Sequence, residues 1–503
     1  MQLSKSEFMM FLKHPAWLWL KKHDPKKLPK PDDNLQALFD AGFEFEQYAL
    51  KRFPKVTEIG FKDFSEYGTM PERTKKALAD GAETLFQARF EARLDSARQA
   101  EFGGEELTCI CDILDRVDDD TFDLYEVKSS TKVKPEHIPD LAFQTVVLEN
   151  AGFKVRKISV INVNNQYVRK GEIDPIELSL ESDVTGNVRE EMEKTKYNIS
   201  RALEIIKSPE MPDPSPRHAQ MGSLNEWLEI YKELQEVRPY SIYNLISPGN
   251  NRIGDLEDMN VEFIKDIPDD FKLTIKQQAQ VEATKRNERI VVKEKIKEFL
   301  DSLTYPLHFL DYETAMGVVP LYDGTKPYQQ IPFQYSLYTV ETPDAEPKHN
   351  EYLHKNADNP IYNLLTKLKD NMAITGNVLV WYKSFEVGRN KEMAEMFPEF
   401  AQFLEDINSR TADLMEPFSR AWFVDKDFFG SASIKAVMPV VVPNLSYKNL
   451  EIQEGASAQR LWIDTTIREK NGVDKDKIFK DLVEYCKMDT LAMVEIWKFL
   501  KNL

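Results

Sequence analysis

Residues 208–216 read Ser-Pro-Glu-Met-Pro-Asp-Pro-Ser-Pro, with a proline at every second or third position. Each proline removes a backbone donor and fixes φ, so neither a helix nor an inner strand can run through. Structure must therefore form on either side of this break. The whole stretch 208–221 is also polar and reads as a linker. Both flanks alternate strand-like and helix-like patterns. The expected fold class is therefore α/β and multidomain: a first domain over 1–207, a linker and helical connector over 208–303, and a second domain over 304–503.

Local patterns refine that map. Ser4-Lys5-Ser6-Glu7 is a capping box ahead of an apolar-aromatic helix from Phe8 to Trp19. Residues 34–54 and 83–101 read as amphipathic helices. Ile110 to Val117, the turn Asp118-Asp119-Asp120 and Thr121 to Lys128 read as a hairpin. A helix from Glu136 to Ala151 closed by Gly152, a strand from Lys157 to Asn164 and a helix over 186–207 follow. Past the linker come short helices, then a strand at Leu307, then strands and helices that end in a long helix from Lys477 to Leu503.

Composition excludes several classes. Across 503 residues, 42% are hydrophobic and 11% aromatic, enough for more than one core and incompatible with collagen or wholesale disorder. Three cysteines, Cys109, Cys111 and Cys486, make no disulfide framework. No apolar run approaches the ~20 residues of a membrane span. Met1 to Glu7 lacks the basic-then-apolar plan of a signal peptide. A cytoplasmic protein with no membrane partner is expected. A net charge of −18 argues against a sequence-independent nucleic-acid coat. Basic clusters such as Lys128 to Lys134 and Lys285 to Lys297 read as solvated faces. An acidic chain can still grip phosphates where metal ions and a few lysines line a cleft. There is no phosphate loop, no Gly-x-Ser-x-Gly elbow and no His-Glu-x-x-His, and the seven histidines show no ligand spacing.

Two constellations carry chemistry. In the strand Thr121 to Lys128, Phe122, Leu124, Glu126 and Lys128 share one face, so an apolar face ends in a carboxylate and an amine. Asp115 lies on the partner strand and Gln144 on the following helix. Asp115 and Glu126 offer oxygen ligands to Mg²⁺ or Mn²⁺, and Lys128 would orient the attacking water. The second constellation starts in Leu307-His308-Phe309-Leu310-Asp311-Tyr312-Glu313-Thr314, an apolar strand with two acids on one face. Tyr485 and Asp489 are spaced i, i+4 on the last helix. Glu386 follows the strand Val378 to Tyr382. Four carboxylates would hold two Mg²⁺ or Mn²⁺ ions for phosphodiester hydrolysis, with Tyr485 orienting water. Asp413 reads as a structural acid.

The first set resembles the PD-(D/E)XK nuclease core of RecB-like enzymes over roughly residues 1–207. The resemblance carries Asp112-Ile113-Leu114-Asp115-Arg116-Val117, Leu124-Tyr125-Glu126-Val127-Lys128-Ser129 and Gln144. It implies metal at Asp115 and Glu126, catalytic assistance from Lys128, substrate contact by Gln144 and a further ligand in Glu46, after Gly42. Many such relatives hold an iron–sulfur cluster; His14 stands where its early cysteine would be and 208–232 holds none, so no cluster is expected. The second set resembles the DnaQ-like, DEDD-type 3′–5′ exonucleases of the ribonuclease H fold, in the tyrosine variant, with Glu386 in place of an Asp. Tyr305 to Glu313, Pro327 to Ser336 and Gly430 to Lys435 are similar to a bacterial family that fuses the two domains. Tyr328, Phe333, Tyr335 and Lys435 would suit stacking and phosphate contact near a 3′ end, and Phe333 and Tyr335 read equally as part of an aromatic core strand. The connector around Asp255 to Val261 resembles a helix-hairpin-helix with Asn260 at its glycine place. The expectation is a metal-dependent nuclease on DNA, possibly RNA. The alternatives are that one domain only holds nucleic acid, or that the chain is a non-catalytic acidic adaptor.

Overall fold

The computed structural model describes residues 2–30, 33–63, 65–93, 105–470 and 472–503. The chain forms two compact units. The first comprises Met1–Val237, Gly249–Asn251 and Gly317–Tyr328; the second comprises Arg238–Pro248, Arg252–Met316 and Gln329–Leu503. The division therefore differs from the expected boundaries at 207 and 304. The proline-rich stretch is no free spacer. Prolines give up donors but keep carbonyls, and those of this segment are taken by side chains of the first unit. Trp19 Nε1 donates to the Ser208 carbonyl at 3.0 Å, and Trp227 Nε1 to that of Pro214 at 2.8 Å. His14 Nε2 lies 3.1 Å from the Ser215 carbonyl, and its ring stacks on Trp227 at 4.1 Å.

In the first unit, β1 (Gln2–Ser4) leads into α1 (Lys5–Lys13), whose capping box makes both of its bonds between Ser4 and Glu7. Then come α2 (Pro15–His23), α3 (Asp33–Leu50), β2 (Val56–Glu58), α4 (Met70–Ala79) and β3 (Thr84–Arg93). The hairpin is β4 (Glu106–Arg116) with β5 (Thr121–Lys128), followed by α5 (His137–Asn150) and β6 (Lys154–Val163). The unit closes with α6 (Pro175–Leu178), β7 (Ser179–Asp183), α7 (Thr185–Lys207) and α8 (Leu224–Leu234). Strand order is β2-β3-β4-β5-β6-β7, and β1 runs parallel to the first residues of β4. The pairs β3/β4/β5 are antiparallel; β5 and β6, bridged by α5, are parallel.

Residues 84–93 thus form a strand rather than the expected helix, because β3 pairs with β4 from Thr84 opposite Asp115 to Arg93 opposite Glu106. Residues 94–101 of that expected helix lie outside the described residues. Both sheet faces are covered. Leu114, Phe122 and Leu124 pack with Leu141 and Phe143 of α5, whereas Ile113, Tyr125 and Val127 pack with Phe45 and Ala49 of α3. Leu85 and Ala88 share one cluster although three residues apart, as do Cys111 and Leu114. Alternation therefore slips by one residue in both strands, at Gln87 (φ 50) and at Asp112 opposite it.

The second unit holds α9 (Asn250–Asp258), most of which belongs to it, then α10 (Ile275–Arg286), β8 (Ile290–Val291), α11 (Lys293–Asp301), β9 (Leu307–Ala315) and β10 (Ile331–Val340). Next are β11 (Lys348–Leu353), α12 (Ile361–Asn371), β12 (Val378–Val380), α13 (Lys383–Met396), α14 (Ala401–Ser409), β13 (Thr411–Asp413) and α15 (Glu416–Ser419). Last come β14 (Phe423–Val424), α16 (Ile434–Val441), α17 (Gly455–Thr466) and α18 (Lys475–Lys501). The main sheet runs β11-β10-β9-β12-β13: an antiparallel meander over β9 to β11, continued beyond β9 by two parallel strands. The helix α18 packs on β9 and β10, with Leu482 and Met493 buried and Trp497 set against Phe309 at 5.8 Å. In the connector, α9 ends at a left-handed Asn260 (φ 56), after which the chain makes a bridge at Phe263 and a 3₁₀ turn before α10. No second helix follows that turn directly, unlike the expected helix-hairpin-helix. Among the described residues no helix is long and apolar enough to cross a membrane.

Candidate metal centres

The first cluster forms where β5 ends. Glu126 continues the face of Phe122 and Leu124 towards α5 and is 1% exposed. Gln144 of α5 donates to Glu126 Oε2 at 2.7 Å and to Asp140 Oδ1 at 3.0 Å. Lys128 Nζ lies 2.6 Å from Glu126 Oε1 and 3.1 Å from Asp140 Oδ2. A second ammonium joins from α1, because β1 seats that helix beside β4: Lys5 Nζ is 3.0 Å from Glu126 Oε1 and 3.5 Å from Asp140 Oδ1.

Asp115 is not part of this cluster. It pairs with Asp123 and accepts from Thr84 Oγ1 at 2.6 Å. Asp112 takes its place, accepting from the Val127 amide at 2.8 Å. The correction follows from the alternation slip, which sets Asp112 beside Glu126 and leaves Asp115 three residues further along. Burial, then the charge of Glu126, push the Asp112 carboxyl well up. Glu46 of α3 accepts from Gln87 Nε2 at 3.1 Å, and its carboxyl is raised by burial and by Glu126. Burial alone would raise Asp140 too, but the ammoniums of Lys5 and Lys128 hold it well below the usual carboxylate range. Those same carboxylates keep Lys5 and Lys128 charged against burial. Three acids, Glu46, Asp112 and Glu126, remain as oxygen donors for a hard divalent cation such as Mg²⁺ or Mn²⁺.

The second cluster spans β9, α13 and α18. Asp311 and Glu313 lie two residues apart on β9, and a carboxylate oxygen of each lies within 4.8 Å of the other and of Cys486 Sγ. Glu386 enters from the first turn of α13, 3% exposed, and its Oε2 has no hydrogen-bond partner. Burial, then Asp311, hold the Glu386 carboxyl well above its usual range. Glu313 is pushed up by burial, Asp311 and Asp489. Asp489 is raised to about 6, chiefly by burial, while Tyr447 Oη donates to it at 2.5 Å. Lys435 Nζ donates to Tyr485 Oη at 3.3 Å and to the Gln453 carbonyl at 2.6 Å. A side chain at Gly455, where α17 starts, would come 3.9 Å from both Glu313 Oε2 and Tyr485 Oη. Buried like charges with an orphaned oxygen form a cradle that a divalent cation fits.

The corner that aims Glu386 is backbone work. Tyr382 adopts a left-handed φ of 82 between β12 and α13. Asp413 accepts from the amides of Tyr382 (3.2 Å), Lys383 (3.0 Å) and Met415 (3.0 Å), so its oxygens hold the corner.

Three expected substrate contacts sit elsewhere. Phe333 is 0% exposed and stacked on Trp462 at 4.4 Å. Tyr335 is equally buried, with Asn371 Nδ2 donating to its Oη at 2.8 Å. Both belong to the core, because β10 is covered on both faces. Tyr328 belongs to the first unit, where its Oη donates to the Ser129 carbonyl. Sequence reasoning passed over Asp112, Asp140, Lys5, Cys486 and Tyr447. Of these only Asp112 left a signal, inside the Asp112 to Val117 string.

A family described as a domain of unknown function (DUF2779) matches residues 308–433, which include Asp311, Glu313, Glu386 and Asp413. Uncharacterized protein MG366 of Mycoplasma genitalium is 24% identical over 241 residues, 44% of this chain and 36% of that protein. Its homolog in Mycoplasma pneumoniae is 27% identical over 238 residues, 42% and 35% of the two chains. Uncharacterized protein UU173 of Ureaplasma parvum is 23% identical over 238 residues, 43% and 34%. The chain spans about a third of the length of the curated relatives it matches. No solved structure matches the chain.

Proposed function

We propose that this chain is a metal-dependent nuclease of DNA, or RNA, with a RecB-like PD-(D/E)XK site in the first unit and a DnaQ-like 3′–5′ exonuclease site in the second. The observation that carries the reading is the second cluster: half-buried Asp311 brought together with buried Glu313, and buried Glu386 beside Asp311 with its Oε2 unpaired. The sheet order supports it. A meander extended past its first strand by two parallel strands puts two acids on β9, one after β12 and one on α18, as the ribonuclease H-like resemblance implies.

In this reading Asp311, Glu313, Glu386 and Asp489 hold Mg²⁺ or Mn²⁺. The bound ions would supply charge for the scissile phosphate and a nucleophile at neutral pH. Tyr485 Oη orients water, with its phenol kept protonated by burial and Asp489. Lys435, 3.3 Å from that hydroxyl, meets a phosphate oxygen. Tyr447 fixes the Asp489 carboxylate. In the first unit Asp112, Glu126 and Glu46 hold the ion, Gln144 fixes Glu126, and Lys128 attends the water.

Digestion of 5′- and 3′-end-labelled DNA and RNA by the full chain, with Mn²⁺, Mg²⁺ or chelator, tests the proposal. Metal-dependent product ladders are expected; Lys128→Ala removes one activity and Asp311→Ala the other. Intact substrates under every condition would refute it. A second reading, that the first unit only holds nucleic acid, draws on Lys5 and Lys128 together occupying Glu126 and Asp140. Under it, Lys128→Ala retains all cleavage and loses affinity.

A further inference from the structure

The acids of the second cluster are joined by a sulfur. Cys486 follows Tyr485 on α18 and is fully buried. Its Sγ lies 3.9 Å from Asp311 Oδ2, and an oxygen of Glu313 completes the triangle within 4.8 Å. A zinc ion with Zn–S near 2.3 Å and Zn–O near 2.1 Å separates such ligands by about 4.4 Å at most. The group is therefore already drawn to nearly the span that one ion bridges. A second observation points to the same cation: the buried Glu386 Oε2 is unpaired, and its carboxyl lies close enough to Asp311 to be raised by that charge.

We propose that Cys486 is a metal ligand alongside Asp311 and Glu313, and that this position takes a borderline-soft divalent ion of the zinc class in preference to Mg²⁺. The inference rests on the reading of Asp311 and Glu313 as metal ligands and names the ion that this donor set selects. A purely carboxylate site suits Mg²⁺, Mn²⁺ or Ca²⁺, whereas one thiolate shifts preference towards Zn²⁺ and its soft analogue Cd²⁺. The proton balance is explicit: the ion binds the thiolate, and the thiol proton leaves to solvent as the metal–sulfur bond forms. In the first unit the two sulfurs, Cys109 and Cys111, make a hydrogen-bond contact with each other at 3.8 Å.

The test uses the chelator-stripped full chain titrated with Zn²⁺, Cd²⁺ and Mg²⁺. Ultraviolet sulfur-to-cadmium charge transfer and zinc affinity in competition with a chromophoric chelator are the readouts. Cys486→Ser is expected to lose the charge-transfer band and about tenfold or more in zinc affinity, with a smaller change for Mg²⁺. Zinc-edge X-ray absorption on the unmutated protein, at one equivalent of zinc, is expected to show one sulfur among oxygens, a result that does not depend on the variant folding. A spectrum without sulfur, or one fitted by two sulfurs from Cys109 and Cys111, overturns the proposal. Full retention of band and affinity in folded Cys486→Ser and Cys486→Ala proteins overturns it too. Because these readouts report bound metal, the two ideas fail separately. Cysteine-dependent zinc binding without nuclease activity sinks the proposed function alone, and nuclease activity with cysteine-independent zinc binding sinks this inference alone.

Discussion

The two acid clusters solve the same electrostatic problem in opposite ways. In the first unit, two of the buried carboxylates are met by the chain's own cations, Lys5 and Lys128 each reaching both Glu126 and Asp140, while Asp112 and Glu46 beside them are pushed up. In the second unit, Asp311, Glu313, Glu386 and Asp489 face one another with Lys435 as the nearby ammonium, and their carboxyls are pushed up. The lesson is that an acid cluster with internal counter-ions is already stable without metal. One whose carboxylates make no ion pair among the described residues, with its nearby Lys435 bonded to Tyr485 and the Gln453 carbonyl, keeps a repulsion that protons or an added cation relieve.

That contrast can be broken most forcefully by kinetics. Asp311→Asn should lower 3′–5′ hydrolysis by about 10³-fold or more, since each 1.36 kcal/mol of lost transition-state stabilisation is worth roughly tenfold. Timed digestion of end-labelled strands measures this, and a loss under tenfold would contradict the assignment. Stability without metal should change with opposite signs in the two clusters. Glu126→Ala leaves two ammoniums to share Asp140 alone and should destabilise the first unit by about 1–3 kcal/mol. Asp311→Asn removes a repelling charge and should stabilise the second by roughly 1 kcal/mol. Urea unfolding of the chelated protein, followed by unit-specific proteolysis, distinguishes the two, and equal signs would erase the comparison.

The pH dependence should differ in sign as well. Asp489 is raised to about 6 from an ordinary 3.8, so metal-free stability is full at low pH and falls as pH rises through about 6. The loss amounts to about 3 kcal/mol at most. Asp140 is held below its ordinary value, so its contribution is present at neutral pH and is lost as pH falls below about 4. Chelated melts between about pH 5 and pH 7.5 check the first trend, which Asp489→Asn should flatten. The smallest expected effect belongs to Tyr447→Phe. Losing one hydrogen bond to Asp489 should cost about 1 kcal/mol, read as a several-fold drop in turnover with an unchanged fold.

Much of this arrangement was legible in local patterns. The Ser4–Glu7 capping box, the hairpin into Lys128, the two acids of β9 and the Tyr485/Asp489 helix all depend on short-range periodicity, and Glu126, Lys128 and Gln144 do converge. The misses share a long-range cause. Asp112 was displaced in favour of Asp115 because strict alternation cannot foresee a slip forced by the neighbouring strand at Gln87. Lys5 reaches Glu126 across 121 positions through the β1–β4 pairing, which no local pattern announces. Residues 84–93 form a strand because β4 supplies a ladder that outweighs charge periodicity. For Phe333 and Tyr335 the pattern left a stacking platform and a core strand equally open, and the structure gives the core strand, covered on both sides, where aromatics fill volume. The prolines of 208–216 did exclude helix, yet their carbonyls remained available for Trp19, Trp227 and His14.

The left-handed Tyr382 has a consequence for ageing and heat. A tyrosine in that conformation carries roughly 1–2 kcal/mol of tension, restrained by the Asp413 latch on its own amide and the next. Release of that corner ahead of the β12 core would swing Glu386 off target while the rest of the molecule stays folded. Warming should therefore silence the second unit while its circular dichroism is still native.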